Sequence, residues 1–426
     1  MVPIAKKSPL YQDEKAILNR SSEDYRAWPI FWLAFVRLIY VSIFERALSN
    51  YLYFVVDINE STLGIITSAG AIAYIFAPII GQVITSKIGV RNAIILSSLV
   101  TPLLTGAQMI YFEPWFLIMC RVFLGLTMGL VWPNFLNLLS KWQNNSNIEK
   151  SNKNFRNFNF SWNFGFIFGL LIGYIWAFTW NDYITMVISW SLSFLLIPIS
   201  FFLKKESRTQ LLDGASEWQL ERFTSEENLK VNSNPKSITP MIVYPILFSW
   251  LGILFLATSK SIFLFSYPVF LKTFSHPSYL TYIVQAGLQL AQVIGLTWIN
   301  VMKIYRRKIS VIISIIAVIM ISTSILFIGN IWYISIIIMI VGLFFGLIHG
   351  TALKIMLEYG TAENTAKYST INEILIGMGF GITPIIAGYV VEINIYVIFT
   401  FIVFFGFFIL IFLIYLSRNI KKGKNR

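Results

Sequence analysis

Ionisable side chains lie inside long apolar stretches of this sequence, where they could hold or carry charge. Glu45 and Arg46 are adjacent in the apolar stretch that begins near Trp28, and Lys260 lies in an apolar stretch of the second half. An ionisable side chain at the centre of a membrane helix costs about 2.5–3.5 kcal/mol on insertion scales, so it normally faces a cavity or a partner. Two such cations could bind an anionic group between them. The alternative for Arg46 is neutralisation by Glu45 and a role in packing.

Two carboxyls and one imidazole in apolar stretches could carry protons. Glu45 and Glu373 are the acids that we place within such stretches. Burial and neighbouring cations have opposite effects on the proton affinity of a carboxyl, so both are candidate proton carriers. His349 titrates near physiological pH in its unperturbed form. A lone histidine is more often a packing residue, and this alternative stays open.

Several neutral or charged residues could line a hydrophilic path. Gln285, Gln289 and Gln292 are spaced i, i+4 and i+7, which places them on one helical face. Their amides could bind a solute or link helices by hydrogen bonds. Arg121 could join Arg46 and Lys260, relay protons, or form a structural ion pair. Further predicted lining residues are Asn163 and Tyr267.

Arg37 is a charged residue for which we expect no functional role. It lies in the inner third of the first apolar stretch. A long side chain at that depth can extend its charged end toward the membrane surface. We therefore expect Arg37 to reach the lipid headgroups.

The elements that carry these residues are apolar helices long enough to cross a bilayer. Of the 426 residues, 56% are apolar and 12% are charged. A membrane-spanning helix needs about 20 apolar residues, and stretches of that length recur along the chain. The sequence predicts an all-α membrane protein with about twelve spans. We place them at residues 28–56, 62–85, 92–111, 114–140, 158–179, 183–203, 240–271, 279–302, 309–328, 331–356, 366–390 and 394–417.

The distribution of basic residues predicts the orientation. Alternate connecting segments hold most of the Lys and Arg, including Lys87 and Arg91 in one loop and the basic segment 303–308 in another. The other loops have none, although Lys272 borders one of them. Basic loops remain in the cytoplasm, so both chain ends are predicted to be cytoplasmic in a multi-pass protein of the cell membrane.

A long polar segment divides the spans into two sets of six. We predict an N-terminal cytoplasmic tail, an N-terminal bundle, a cytoplasmic linker, a C-terminal bundle and a basic tail at residues 1–27, 28–203, 204–239, 240–417 and 418–426, respectively. Small residues repeat with the same spacing in spans 4 and 10 and in spans 5 and 11, which favours a duplication over ordinary helix packing. Arg46 and Lys260 then occupy equivalent depths in spans 1 and 7. This equivalence motivates the prediction that the two cations form one anion site near the membrane centre.

The loop after span 2 has the sequence QVITSKIGVR at 82–91, which includes Lys87, Gly89 and Arg91. These three residues resemble a loop motif of the major facilitator superfamily, whereas Gln82 and Ser86 depart from it. The resemblance implies a gating loop formed by Lys87, Gly89 and Arg91. The absence of the acidic residue at Ser86 argues against the charge-based latch of the family.

Two further motifs carry the same resemblance. Arg121 with Gly125 resembles the span 4 motif of the family, and Gly165, Gly169 and Gly173 resemble part of its exporter motif in span 5. Leu170 and Tyr174 replace the Pro and the last Gly of that motif. The resemblance covers roughly 28–417 and implies two pseudo-symmetric bundles of six helices.

The resemblance implies a secondary transporter that moves a small solute by alternating access. The buried cations favour an anionic or zwitterionic organic solute, with proton coupling. A peptide and proton symporter or a drug exporter of the same fold is an alternative, and a non-transporting receptor or sensor is an alternative of another class. We expect a monomer in lipid with no enzymatic activity, cofactor, metal or nucleic-acid partner, because the sequence has no nucleotide loop, metal cluster or nucleophile motif.

Overall fold

The computed structural model describes residues 27–135, 138, 148–204, 242–359, 362–418 and 421–422. Within these residues, twelve helices are long and apolar enough to cross a membrane, which confirms the predicted number. The all-α membrane fold is also confirmed. Nearly all of the predicted N-terminal tail and linker and most of the basic tail lie outside the described residues. Spans 1–12 comprise the helices Trp28–Phe54, Glu60–Ile88, Val90–Ile110, Pro114–Gly129, Ile148–Thr179, Asp182–Ser193 with Leu196–Phe201, Ile246–Thr273, Leu280–Val301, Ile304–Phe327, Ile331–Tyr359, Ala362–Ile393 and Val397–Arg418.

The observed helix ends differ from the predicted ends for local reasons. Span 4 is helical as far as Gly129, turns at Leu130–Val131 and continues as an apolar span to Phe135. Span 7 begins at Ile246, six residues after its predicted start, because Pro245 precedes its first turn and Ile242–Val243 form a strand. This strand pairs antiparallel with Lys421–Lys422.

The two sets of six helices pack in equivalent ways. Spans 2 and 4 approach closely at Gly125, where an added Cβ atom would lie 2.2 Å from the Gly70 carbonyl oxygen. Spans 8 and 10 make the corresponding approach at Gly346, where a Cβ atom would lie 2.1 Å from the Gln292 carbonyl oxygen. These contacts explain the repeated small residues: each repeat needs a backbone surface against which another helix can pack.

Spans 2 and 11 bring the two halves together along much of their length. Near one end, Gly64 faces the backbone of Pro384, and Gly388 faces the backbone of Glu60. Nearer the centre, Gly377 packs against Ile75. The centre of the molecule is therefore bounded by helices of both halves.

The membrane face opposite the basic loops holds a dense set of contacts between the halves. Lys272 of span 7 donates to Asp57 Oδ1 at 2.5 Å and to the Tyr53 carbonyl oxygen at 2.7 Å. This ammonium lowers the pKa of the exposed Asp57 carboxyl through the hydrogen bond and its charge. On the same face, the Ser61 backbone N–H donates to Glu392 of span 11 at 3.0 Å. These contacts join the two halves on that face.

Candidate functional site

A cavity of about 250 Å³ lies at the centre of the membrane-spanning region. Its walls come from spans 1, 2 and 4 of the first half and from span 11 of the second half. Tyr40, Tyr74, Met128 and Phe380 give it a largely aromatic and apolar lining. Arg121 is the charged residue in the described lining.

Arg121 forms an ion pair with Glu45 beside this cavity. Its Nη1 atom donates to Glu45 Oε2 at 2.5 Å. The Arg121 side chain is 5% exposed and the Glu45 side chain is 37% exposed. Two further guanidinium nitrogens of Arg121, Nε and Nη2, are buried and have no hydrogen-bond partner among the residues that the structure describes. Since buried polar groups are nearly always paired, this cation retains capacity to bind an oxygen-bearing anion.

Glu373 links the two halves near the same cavity. Its Oε2 atom accepts a hydrogen bond from the Tyr74 hydroxyl of span 2 at 3.1 Å. Tyr74 itself lines the cavity. The carboxyl predicted as a proton carrier therefore lies at an interface between the halves, rather than within one bundle.

Lys260 is held by two of the three predicted glutamines. Its Nζ atom donates to Gln289 Oε1 at 3.0 Å and to Gln292 Oε1 at 2.6 Å. The Gln292 amide nitrogen in turn lies 3.5 Å from His349 Nδ1. Among the described residues, the partners of Lys260 are neutral amides, so its positive charge is solvated without being cancelled.

Arg46 has a different environment from Lys260. Its Nη1 atom lies 3.5 Å from the Leu264 carbonyl oxygen of span 7. Arg46 lines a crevice of about 10 Å³ with Gln285 and Tyr267, a volume comparable to one water molecule. The Tyr267 hydroxyl forms a 2.8 Å hydrogen bond with Ser335. Neither Arg46 nor Lys260 is part of the lining of the central cavity that Arg121 occupies.

The remaining predicted residues lie away from the central cavity. Asn163 donates to the Asn159 carbonyl oxygen of its own helix at 2.9 Å. Gly89 joins spans 2 and 3 with φ +83°, the left-handed region that glycine adopts most readily. Arg91 donates from Nε to the Leu203 carbonyl oxygen at 2.6 Å, so it binds the end of span 6. Lys87 is exposed.

The expectation that Arg37 extends to the headgroups is wrong. Arg37 is 1% exposed, and its guanidinium points into the first bundle. It donates to Ser97 Oγ at 3.3 Å and Thr101 Oγ1 at 3.5 Å, and it contacts the Met128 sulfur at 3.7 Å. The hydroxyls of span 3 bind the guanidinium inside the bundle, so the side chain does not extend toward the membrane surface. The i, i+4 spacing of Ser97 and Thr101 is the sequence signal that could have indicated this contact.

Asp182 is a buried acid that falls between the predicted spans 158–179 and 183–203. It is 6% exposed and accepts hydrogen bonds from Ser278 Oγ at 2.5 Å and the Tyr282 hydroxyl at 3.0 Å, both from the second half. Asn50 of span 1 joins the same cluster by donating to Thr281 Oγ1 at 2.9 Å. Asn181, whose side chain caps the first turn of span 6, was the available signal that Asp182 belongs to a helix.

Metal ligation has no support in the described part of the chain. There, no three His, Cys, Asp or Glu side chains are grouped closely enough to hold a metal ion. The described lining of the cavity offers one guanidinium and aromatic surface, and the carboxyls of Glu45 and Glu373 bind the lining residues Arg121 and Tyr74.

Twelve spans in two equivalent halves around a central cavity define a membrane transporter fold. The sequence matches the profile of the Major Facilitator Superfamily over residues 30–299 and 249–426. The chain therefore belongs to the Major Facilitator Superfamily.

Solved structures share the fold at low sequence identity. The nucleoside transporter NupG matches with a TM-score of 0.65 and 14% identity, over 92% of this chain and 99% of that chain. A POT family transporter in complex with 5-aminolevulinic acid matches with a TM-score of 0.70 and 13% identity, over 93% of this chain and 96% of that chain. A comparison with curated protein sequences gives no significant match. At these identities the structural matches establish the fold alone.

Proposed function

We propose that this protein is a secondary transporter that moves a small anionic or zwitterionic organic solute and is coupled to protons. The observation that carries this proposal is the state of Arg121. Its guanidinium lines the central cavity, pairs with Glu45 through one nitrogen and leaves Nε and Nη2 unpaired. These two nitrogens have almost no accessible surface in this structure, so a carboxylate or similar oxoanion would satisfy them once the Arg121 side chain turns toward the cavity.

The balance of charge in the spans also favours an anion. Arg46 and Lys260 are bound to a backbone carbonyl and to side-chain amides, respectively, and Arg37 contacts hydroxyls. None of these hydrogen-bond partners carries negative charge, although the charge of Glu45 also acts on Arg46. In a low-dielectric interior such cations attract anionic solutes strongly. Arg46 and Lys260 do not line the cavity in this state, and they remain candidates for contact with the solute in another state of the transport cycle.

Contacts between the halves support alternating access. The face opposite the basic loops is closed by Lys272, Glu392 and the Asp182 cluster, whereas the cavity lies at mid-membrane. With the basic loops in the cytoplasm, this is the state closed toward the outside. Rocking of the two halves would break these outer hydrogen bonds and open the cavity toward the outside of the cell.

Two carboxyls support proton coupling. A proton on Glu45 would remove the charge that binds Arg121 and so free the guanidinium for the solute. A proton on Glu373 would change the hydrogen bond from Tyr74 that joins the halves. Either change couples protonation to solute binding or to reorientation.

A ligand screen tests the class of solute. Purified full-length protein in detergent would be heated with organic anions, zwitterions, sugars or lipophilic cations. A bound ligand stabilises the folded protein by mass action and so raises Tm. The stabilisation is about 2.7 kcal/mol at a ligand concentration of 100 Kd. We expect shifts with anions or zwitterions. Stabilisation by sugars or lipophilic cations alone would refute the proposal.

The proposed orientation in the cell membrane makes a labelling prediction. In a Cys120→Ala background, Glu113→Cys lies between spans 3 and 4 and Ser86→Cys near the inner end of span 2, and both positions are exposed. A membrane-impermeant maleimide added to intact cells should label Glu113→Cys and should reach Ser86→Cys only after lysis. The reverse pattern would show that the basic loops face outward.

A further inference from the structure

We infer that the central cavity selects a monocarboxylate carried on an aromatic ring. This inference rests on the proposed function and narrows its substrate class. It depends on three features of the lining: the number of cations, the state of the hydroxyl groups, and the aromatic surface.

The cavity offers one cation for one anionic group. Arg121 is the charged side chain in the lining that the structure describes, and it has two adjacent nitrogens without partners. A guanidinium binds one carboxylate through two parallel N–H donors. A second carboxylate on the solute would enter a largely apolar space without a cation, at a high desolvation penalty. Dicarboxylates are therefore disfavoured.

The lining hydroxyls are poorly suited to a polyhydroxylated or amino-bearing solute. Thr127 donates its hydroxyl proton to the Leu124 carbonyl oxygen at 2.7 Å, and Tyr74 donates its own to Glu373. A sugar would leave several buried hydroxyls unpaired, which opposes binding. An ammonium group would need a carboxylate, and the nearby Glu45 is already paired with Arg121.

Aromatic and thioether groups supply the rest of the binding surface. Tyr40, Tyr74 and Phe380 present rings, and Met128 presents a polarisable sulfur. Such groups bind planar rings through offset or edge contacts and through sulfur–aromatic contacts. The cavity volume of about 250 Å³ is below the range of about 300–1,000 Å³ for drug-sized ligands. A compact acid with one or two rings fits this volume and this lining.

Titration calorimetry on the purified full-length protein tests the inference with a matched series. Phenylacetate combines ring and carboxylate, acetate lacks the ring, and benzyl alcohol lacks the carboxylate. Succinate adds a second carboxylate, and phenylalanine adds an ammonium group. We expect phenylacetate to bind at least tenfold more tightly than each of the other four.

Two variants of lining residues test whether phenylacetate binds in the central cavity. Arg121→Gln should weaken phenylacetate binding at least tenfold and Phe380→Leu at least fivefold, and Phe380→Leu keeps an apolar side chain so that folding is preserved. Phe404→Ala is the matched control, because Phe404 is 70% exposed on span 12. The Phe404→Ala variant should bind phenylacetate with the same affinity as the unmodified protein.

The possible results separate the two proposals. Tighter binding of succinate, phenylalanine or a non-aromatic acid that is lost in Arg121→Gln would overturn the aromatic inference and leave the proposed function intact. Phenylacetate binding that persists in both Arg121→Gln and Phe380→Leu would place the ligand elsewhere and would also overturn the inference. If no anion of this series or of the wider screen binds, both proposals fail.

Discussion

Replacing Arg121 by Gln is expected to lower the affinity for the anionic solute at least tenfold. A charge-assisted hydrogen bond contributes about 1.5–3 kcal/mol, and about 1.4 kcal/mol corresponds to a factor of ten in Kd. Arg121 should show a larger loss than the other buried cations because it lines the cavity and has two unpaired nitrogens. Calorimetric titration with the anion that most strongly raises Tm would measure the loss.

Two further variants test the anchor that we predicted from the sequence. Arg46→Gln and Lys260→Gln should also weaken binding if these residues contact the solute. Lys303→Gln removes the same charge from an exposed loop and should leave the affinity unchanged. Normal binding by Arg46→Gln and Lys260→Gln together with a loss in Arg121→Gln would restrict the anion site to the central cavity. Normal binding by all three would show that the anion is held by other residues.

Replacing at least one of the two interior acids, Glu45 and Glu373, is expected to abolish accumulation of solute against its gradient. Without a carboxyl that takes up and releases a proton, the pH gradient has no means of driving the transporter. Exchange should persist, because it requires only that the loaded protein reorients. At least one of Glu45→Gln and Glu373→Gln should therefore lose uphill transport and keep exchange.

Reconstituted vesicles separate the two activities. One set would receive a pH gradient and labelled solute, and the other would hold trapped unlabelled solute at equal pH. Glu113→Gln removes an acid from an exposed loop and should retain both activities. If both interior variants still accumulate solute in response to the gradient, neither acid couples protons. A route through His349, another coupling ion or uniport would then explain transport better.

The location of the candidate residues could be predicted only in part. The one-face arrangement of Gln289 and Gln292 follows from helical spacing, and both amides do meet one lysine. The partner of Arg121 did not follow from spacing, because Glu45 is 76 residues away in another helix. Arg37 shows the same difficulty. Its depth in span 1 could be inferred from the sequence, but its contact with Ser97 depends on how span 3 packs.

The amino-acid sequence by itself determined the number of spans, their approximate limits and the division into two halves. The physical reason is that bilayer thickness sets the length of an apolar helix, a local property of the chain. Only the tertiary structure decided which ionisable residues share a space. Arg121, Tyr74 and Phe380 line one cavity because spans 4, 2 and 11 cross at mid-membrane, and that crossing depends on packing between helices distant in the chain.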